Sequence, residues 1–134
     1  METFGINLNA IKEICDRNRI DMAVLFGSFV SERVSNESDI DVGIFRKGLI
    51  TLDDQALIYN ELSDLFKNNK VDISIISSNN PLLMHNILQN GRVLYSNEAS
   101  LFIKLKLYAW KLFAESKNFR DHSFNILQDR VASM

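Results

Sequence analysis

Apolar residues recur along the chain at two spacings, one typical of helices and one typical of strands. The first helical stretch is marked by Leu8, Ile11, Ile14 and Cys15. Asn7 stands just before it and is a favourable N-terminal cap, so we expect a helix to begin there. The apolar run over residues 21–26 is short and ends at Gly27, which predicts a buried strand.

A second strand is predicted over residues 38–45, where apolar and polar side chains alternate. Side chains two positions apart on a strand point to the same face, at a Cα separation of about 7 Å. The apolar residues of this segment would share one face, and Asp39, Asp41 and Gly43 would share the other. Two carboxylates are thus predicted side by side in a segment that otherwise has the composition of a buried strand.

The middle of the chain continues the alternation of helices and strands. A helix is predicted to begin at Thr51, with an apolar stripe formed by Leu57, Ile58, Leu62, Leu65 and Phe66. Residues 71–77 predict a third strand. A short helix follows, with Pro81 just inside its start and Gly91 just past its end.

The last part of the chain predicts a fourth, peripheral strand over residues 92–96 and then only helix. From Glu98 onward no Pro or Gly occurs, so we expect one long helix or two shorter ones. The order of elements predicts an α/β fold, in which helices pack on a small mixed sheet and a C-terminal helix or helices follow. The length fits a single domain, with a core over residues 1–97 and a helical extension over residues 98–134.

Composition and charge narrow the class of protein. Hydrophobic residues make up 46% of the chain and charged residues 24%, as in an ordinary globular protein. The net charge of −2 gives no basic track for nucleic acid, so we expect no direct nucleic-acid binding. Cys15 is the only cysteine, which excludes an internal disulfide and favours the reducing cytoplasm. No signal peptide or membrane span is evident, so we expect a cytoplasmic protein without a membrane partner.

Asp39 and Asp41 point to a metal site. Like charges on neighbouring positions repel each other unless something positive lies between them. Mg²⁺ takes carboxylate oxygens as ligands and leaves room for water and phosphate. The alternative from the residues alone is that Asp39 caps the strand and Asp41 faces solvent.

Two further motifs favour the metal interpretation. Gly27 and Ser28 stand where a strand gives way to a turn, and the free N–H groups and hydroxyl of such a turn suit phosphate oxygens. Asp72 stands among apolar residues of the third strand, which we expect to be central in the sheet, where a carboxylate is costly without a cation. The alternative is an aspartate at the edge of the sheet, in solvent. If this strand lies beside the one that carries Asp39 and Asp41, a cluster of three carboxylates results.

The spacing of these residues resembles a known family. Gly27 and Ser28, ten intervening residues and then Asp39 and Asp41, with Asp72 on a later strand, match the GSx10DxD signature of the polymerase-beta-type nucleotidyltransferase superfamily. The short core that ends in "NILQNGRVLYS" resembles its minimal nucleotidyltransferase branch, in particular the MntA antitoxins of HEPN/MNT toxin–antitoxin pairs.

The resemblance implies roles for these residues. Gly27 and Ser28 would hold the triphosphate of ATP, and Asp39 and Asp41 would bind two Mg²⁺ ions. Asp72 would bind the ion that activates the acceptor hydroxyl and would help remove its proton. The implied reaction transfers AMP from ATP to a hydroxyl, here a tyrosine of a HEPN-domain ribonuclease toxin, and releases pyrophosphate.

The segment after the Gly-Ser pair departs from the family pattern. Many relatives carry arginines there, whereas this chain has Phe29 and Ser31 and only Arg33 is basic. Two interpretations of Arg33 stay open: it contacts the phosphates from a shifted position, or it is a solvated helix residue.

The C-terminal segment is too apolar all round for a helix with one buried side. The residues concerned are Leu101, Phe102, Leu105, Tyr108, Ala109, Trp110, Leu112 and Phe113. Two interpretations stay open and are compatible on different faces: the helix caps the sheet core, or its surface binds a partner, either the toxin or a second copy of the chain. Two other functions stay open: nucleotidyl transfer to a small molecule such as an aminoglycoside, and neutralisation of a toxin by binding alone.

Overall fold

The computed structural model describes residues 2–3, 6–27, 39–67 and 70–132, and it describes side chains over residues 6–27, 39–67 and 70–116. Ten elements follow one another in this part of the chain. The strands are β1 (Glu2–Thr3), β2 (Ile6–Asn7), β3 (Met22–Phe26), β4 (Ile40–Phe45), β5 (Val71–Ile75) and β6 (Arg92–Ser96). The helices are α1 (Leu8–Arg17), α2 (Leu52–Leu65), α3 (Pro81–Asn90) and α4 (Leu101–Ala132).

A four-stranded mixed sheet forms the centre of the fold, in the order β5–β4–β3–β6. β3 runs antiparallel to both β4 and β6, whereas β4 and β5 are parallel. The end of β3 therefore meets the starts of β4 and β5 at one edge of the sheet. β1 and β2 form a separate antiparallel pair that the apolar pattern did not predict, since each has only two residues.

One face of the sheet is covered by α1 and α2. The alternation along β4 directs its buried residues Ile40, Val42 and Ile44 into this core, together with Ala23 and Leu25 of β3. The helices contribute Ile11, Ile14, Cys15, Ile58 and Leu62. Burial in this core, together with the nearby charge of Asp16, raises the pKa of the Cys15 thiol to about 12, so this cysteine is a packing residue.

The opposite face of the sheet is covered by α3 and α4. Met22 and Val24 point to this side and pack with Met84, Ile87 and Leu88 of α3. Leu101, Leu105 and Ala109 form the buried stripe of α4. The ring of His85 on α3 stacks on the ring of Phe113 on α4 with the centroids 4.2 Å apart, which joins the two helices.

The C-terminal segment forms one long helix, α4, rather than two shorter ones.

The ends of the helices follow the residue types that the sequence offers. The Asn7 side chain accepts hydrogen bonds from the N–H groups of Asn9 and Ala10, as expected for the cap of α1. Thr51 and Asp54 cap α2 reciprocally, each side chain accepting from the other's backbone N–H.

One detail of the helix predictions is wrong. Leu57 is 57% exposed and does not belong to the buried stripe of α2, because Ile58 and Leu62 turn toward the sheet instead. Gly91 follows α3 as predicted, and its φ of −84° is one that any residue can adopt. A larger residue does not fit at position 91 because a Cβ there would overlap the Val24 side chain and the carbonyl oxygen of Ile87. None of the described helices is long and apolar enough to span a membrane.

Candidate active site

The predicted aspartates meet at the edge of the sheet where β3 ends and β4 and β5 begin. Asp41 lies opposite Phe26 in the antiparallel pair and opposite Asp72 in the parallel pair. Directly opposite residues on neighbouring strands are about 4.8 Å apart and point to the same face, so these two carboxylates are close neighbours. Asp39 precedes β4 by one residue, two positions before Asp41. The structure therefore brings the three predicted carboxylates to one place.

The charges of this cluster are not balanced by the cations that the structure describes. Burial raises the pKa of the Asp41 carboxyl above its usual range, and the charges of Asp72 and then Asp39 raise it further. Within the described side chains, the ion pairs are Arg17–Glu61, Arg46–Asp54 and Lys104–Glu98, all of them outside the cluster. A site of this kind favours a divalent cation, which relieves the repulsion between carboxylates.

The donor set fits Mg²⁺ by its chemistry. All three groups are hard carboxylate oxygens at the same end of two neighbouring strands, and such oxygens are the ligands that Mg²⁺ prefers. Among the described residues, no three acidic, His or Cys side chains are already drawn together tightly enough to enclose an ion. The expectation of a central strand for Asp72 is wrong, because β5 is an edge strand of the sheet and Asp72 is exposed. Asp39 is exposed as well, so the oxygens of both residues have room to turn toward a cation.

Gly27 directly follows β3 and lies against the Asp41 side chain of the same cluster. Its φ of +80° lies in the left-handed region that favours glycine. A Cβ built at this position would overlap Oδ2 of Asp41. Sequence reasoning assigned Gly27 to the phosphates and missed this contact, because the register that joins β3 to β4 has no local signature. Ser28 and Arg33, the other predicted nucleotide-binding residues, lie outside the described residues, so their roles stay predictions.

An exposed apolar groove on α4 is the second notable surface. Ile103, Leu107 and Trp110 are 56%, 65% and 61% exposed, and with Gln89 and Lys106 they line a groove of about 390 Å³. Ile103 and Leu107 were not singled out in the sequence. Their spacing with Trp110, at i, i+4 and i+7, was the available signal for a second apolar face.

Comparison with known proteins identifies the family. The family model of polymerase beta nucleotidyltransferases matches residues 9–100, and the chain belongs to this family. The predictions of a nucleotidyltransferase and of the polymerase-beta-like α/β fold are therefore confirmed. Among curated proteins, no match was found.

Solved structures with the same fold come from toxin–antitoxin complexes. A crystal structure of a toxin–antitoxin with AMP-PNP has a TM-score of 0.68 and 18% identity, covering 92% of this chain and 98% of the other. A tri-AMPylated Shewanella oneidensis HEPN toxin in complex with MNT antitoxin has a TM-score of 0.66 and 18% identity, covering 95% and 98%. A MntA–HepT complex has a TM-score of 0.62 and 17% identity, covering 91% and 94%. At 17–18% identity these structures show that the fold is shared. The shared fold agrees with the resemblance of the sequence to MntA antitoxins.

Proposed function

We propose that this chain is a Mg²⁺-dependent adenylyltransferase that transfers AMP from ATP to a tyrosine hydroxyl of a cognate HEPN toxin and thereby acts as its antitoxin. The observation that carries the proposal is the pairing of Asp41 with Asp72 across two parallel strands, with Asp39 two positions earlier. Family membership supports nucleotidyl transfer. The complexes with AMP-PNP and with an AMPylated toxin support the nucleotide and the partner.

The reaction would be a single displacement at phosphorus. The oxygen of the acceptor hydroxyl forms a bond to the α-phosphorus of ATP, the bond from that phosphorus to the bridging oxygen breaks, and pyrophosphate leaves. Two bound Mg²⁺ ions would supply neutralisation of the charge that develops on the phosphate oxygens.

The chain's own groups would position the reactants. Asp39 and Asp41 would hold both ions at the edge of the sheet. Asp72 would bind one ion and accept the proton of the hydroxyl, a role that suits its exposure to solvent. Gly27 and Ser28, and Arg33 under one interpretation, would contact the triphosphate.

The exposed groove on α4 is the proposed contact for the toxin. Trp110 is the kind of residue that dominates binding energy at protein interfaces, and Ile103 and Leu107 extend the apolar area beside it. In this proposal residues 1–97 form the catalytic core, and the extension over residues 98–134 both packs on that core and binds the partner.

The same groove favours a second candidate function, neutralisation of the toxin by binding alone. A growth assay separates the two. Cells that express the cognate toxin should be protected by the native chain and not by the variant Asp39→Asn/Asp41→Asn. Protection by this variant at an equal protein level would contradict catalytic neutralisation and support neutralisation by binding.

A further inference from the structure

Gly27 is the point where the backbone comes closest to the central carboxylate of the site. A Cβ built on this residue would overlap Oδ2 of Asp41 and would lie 3.1 Å from Cγ and 3.3 Å from Cβ of the same residue. The three nearest atoms all belong to one side chain. The space that any other residue would fill at position 27 is therefore occupied by the Asp41 carboxylate.

A shift of the Asp41 carboxylate along the sheet, away from Gly27, is opposed by charge. β4 lies between β3, which Gly27 directly follows, and β5, which carries Asp72 directly opposite Asp41. A shift of the Asp41 side chain away from β3 is therefore a shift toward the like charge of Asp72. Asp39, two positions earlier, adds a second negative charge at the same edge. The position of the Asp41 carboxylate is therefore limited by steric contact with Gly27 on one side and by repulsion from Asp72 on the other.

We propose that Gly27 is a positioning residue for Asp41, because its missing side chain leaves the volume in which the metal-binding carboxylate is held. The proposal rests on the proposed function in one respect, that Asp41 is a metal ligand. It differs from the role in holding phosphates that the family resemblance implies for Gly27. A residue that only holds phosphates affects nucleotide binding, whereas a residue that positions Asp41 affects metal binding.

The chain contains a matched control for the backbone effect. Gly48 also has a positive φ, +96°, but a Cβ there would meet nothing within 4 Å. The change Gly48→Ala therefore carries the cost of the left-handed conformation without a steric overlap. Gly27→Ala carries both the cost of the left-handed conformation and the steric overlap with Asp41.

The first test is a set of urea unfolding curves for the native chain, Gly27→Ala, Asp41→Ala and the double variant, with Gly48→Ala as control. Gly27→Ala should lower the unfolding midpoint more than Gly48→Ala does. In the Asp41→Ala background, the effect of Gly27→Ala should shrink toward that of Gly48→Ala, because the overlapping Oδ2 and Cγ are gone and only the Cβ at 3.3 Å remains. An equal effect of Gly27→Ala in both backgrounds would overturn the proposal.

The second test measures metal binding without any reaction. Titration of the full chain with Mn²⁺, followed by electron paramagnetic resonance, should show affinity about 10- to 100-fold weaker in Gly27→Ala, the usual effect of disturbing the support of a metal ligand. Gly48→Ala should bind Mn²⁺ as the native chain does. A fluorescent ATP analogue without metal reports the contact of Gly27 with the triphosphate separately, and Gly27→Ala should lose less affinity for it than for Mn²⁺. Unchanged Mn²⁺ affinity with lost nucleotide binding would assign Gly27 to the phosphates instead.

Two further outcomes are also decisive. If Gly27→Ala does not fold, the double variant with Asp41→Ala should fold again, and its failure to do so would overturn the proposal. If the native chain transfers no nucleotide, yet the two substitutions are coupled and Mn²⁺ binding depends on Gly27, the proposed function fails while the positioning role stands.

Discussion

Replacement of Asp41 by Asn should abolish nucleotidyl transfer while leaving the fold intact. Asn has nearly the shape of Asp but no charge, so the packing beside Gly27 is kept and a metal ligand is weakened. Loss of one electrostatic group at a reacting phosphate typically lowers turnover by about 10²- to 10³-fold. We expect a decrease of at least this size for Asp41→Asn.

The same change should not destabilise the protein without metal. Asp41 and Asp72 lie opposite each other on neighbouring strands, and two unit charges at about 4 Å repel by about 1 kcal/mol in a water-like medium. Asp41→Asn removes this repulsion. The free energy of unfolding should therefore stay equal or rise, by up to about 1 kcal/mol near neutral pH.

The pH dependence of stability gives a second signature. Because the pKa of Asp41 is raised in the folded protein from its ordinary value of 3.8, the folded state retains its proton to higher pH than the unfolded chain does. The free energy of unfolding should fall as the pH rises from about this ordinary value through the raised pKa. In Asp41→Asn this contribution should be absent.

Three assays test these predictions for Asp41→Asn. Transfer of label from α-³²P-ATP to the toxin measures activity, urea unfolding at pH 7 measures stability, and urea unfolding across the acidic range measures its pH dependence. Asp64→Asn is the matched control, because Asp64 is exposed on α2 and is not among the charges that raise the pKa of Asp41. Normal transfer by Asp41→Asn would refute the metal assignment. A large decrease in the free energy of unfolding of Asp41→Asn would refute the inference that Asp41 and Asp72 repel each other.

Other predictions concern the remaining groups of the site, the partner surface and the fold. Asp72→Asn should bind a fluorescent ATP analogue as the native chain does but transfer AMP about 100-fold more slowly, since a proton acceptor is lost; equal rates would exclude this role. Trp110→Ala should weaken toxin binding by about 2 kcal/mol in isothermal titration calorimetry, because an exposed Trp in an apolar groove is a typical anchor. Tyr59→Ala, an exposed aromatic residue on α2, should leave this affinity unchanged, and equal losses in the two variants would argue against the groove. Arg46→Ala should lower the free energy of unfolding by about 2 kcal/mol in urea, because its guanidinium donates to two backbone carbonyls and to Asp54; an unchanged urea midpoint would show that these bonds are replaced by water.

Much of the fold was predictable because its signals are local. The cap of α1 at Asn7 follows from a short polar side chain placed before a helical repeat. The face of Asp41 follows from the period of two along a strand, which the buried residues of β4 obey. Leu57 was assigned to the wrong side of α2, because an apolar residue at the border of a helical stripe can turn to either side.

The assembly of the site was less accessible from the sequence. That Asp72 stands opposite Asp41 depends on the pairing of β4 with β5, which lie 31 positions apart at this register and are joined through α2. Strand register across such a connection is decided by packing of both faces, and the sequence carries it only indirectly. The overlap between position 27 and the Asp41 carboxylate follows from the same kind of long-range pairing and was not foreseen.

The most direct test of the central claim is the intact mass of the cognate HEPN toxin after incubation with this chain, Mg²⁺ and ATP. We expect the toxin to gain the mass of one or more AMP units with the native chain. With the variant Asp39→Asn/Asp41→Asn, we expect the toxin mass to stay unchanged. An unchanged toxin mass, with the two proteins still bound to each other, would contradict AMP transfer as the function of this site.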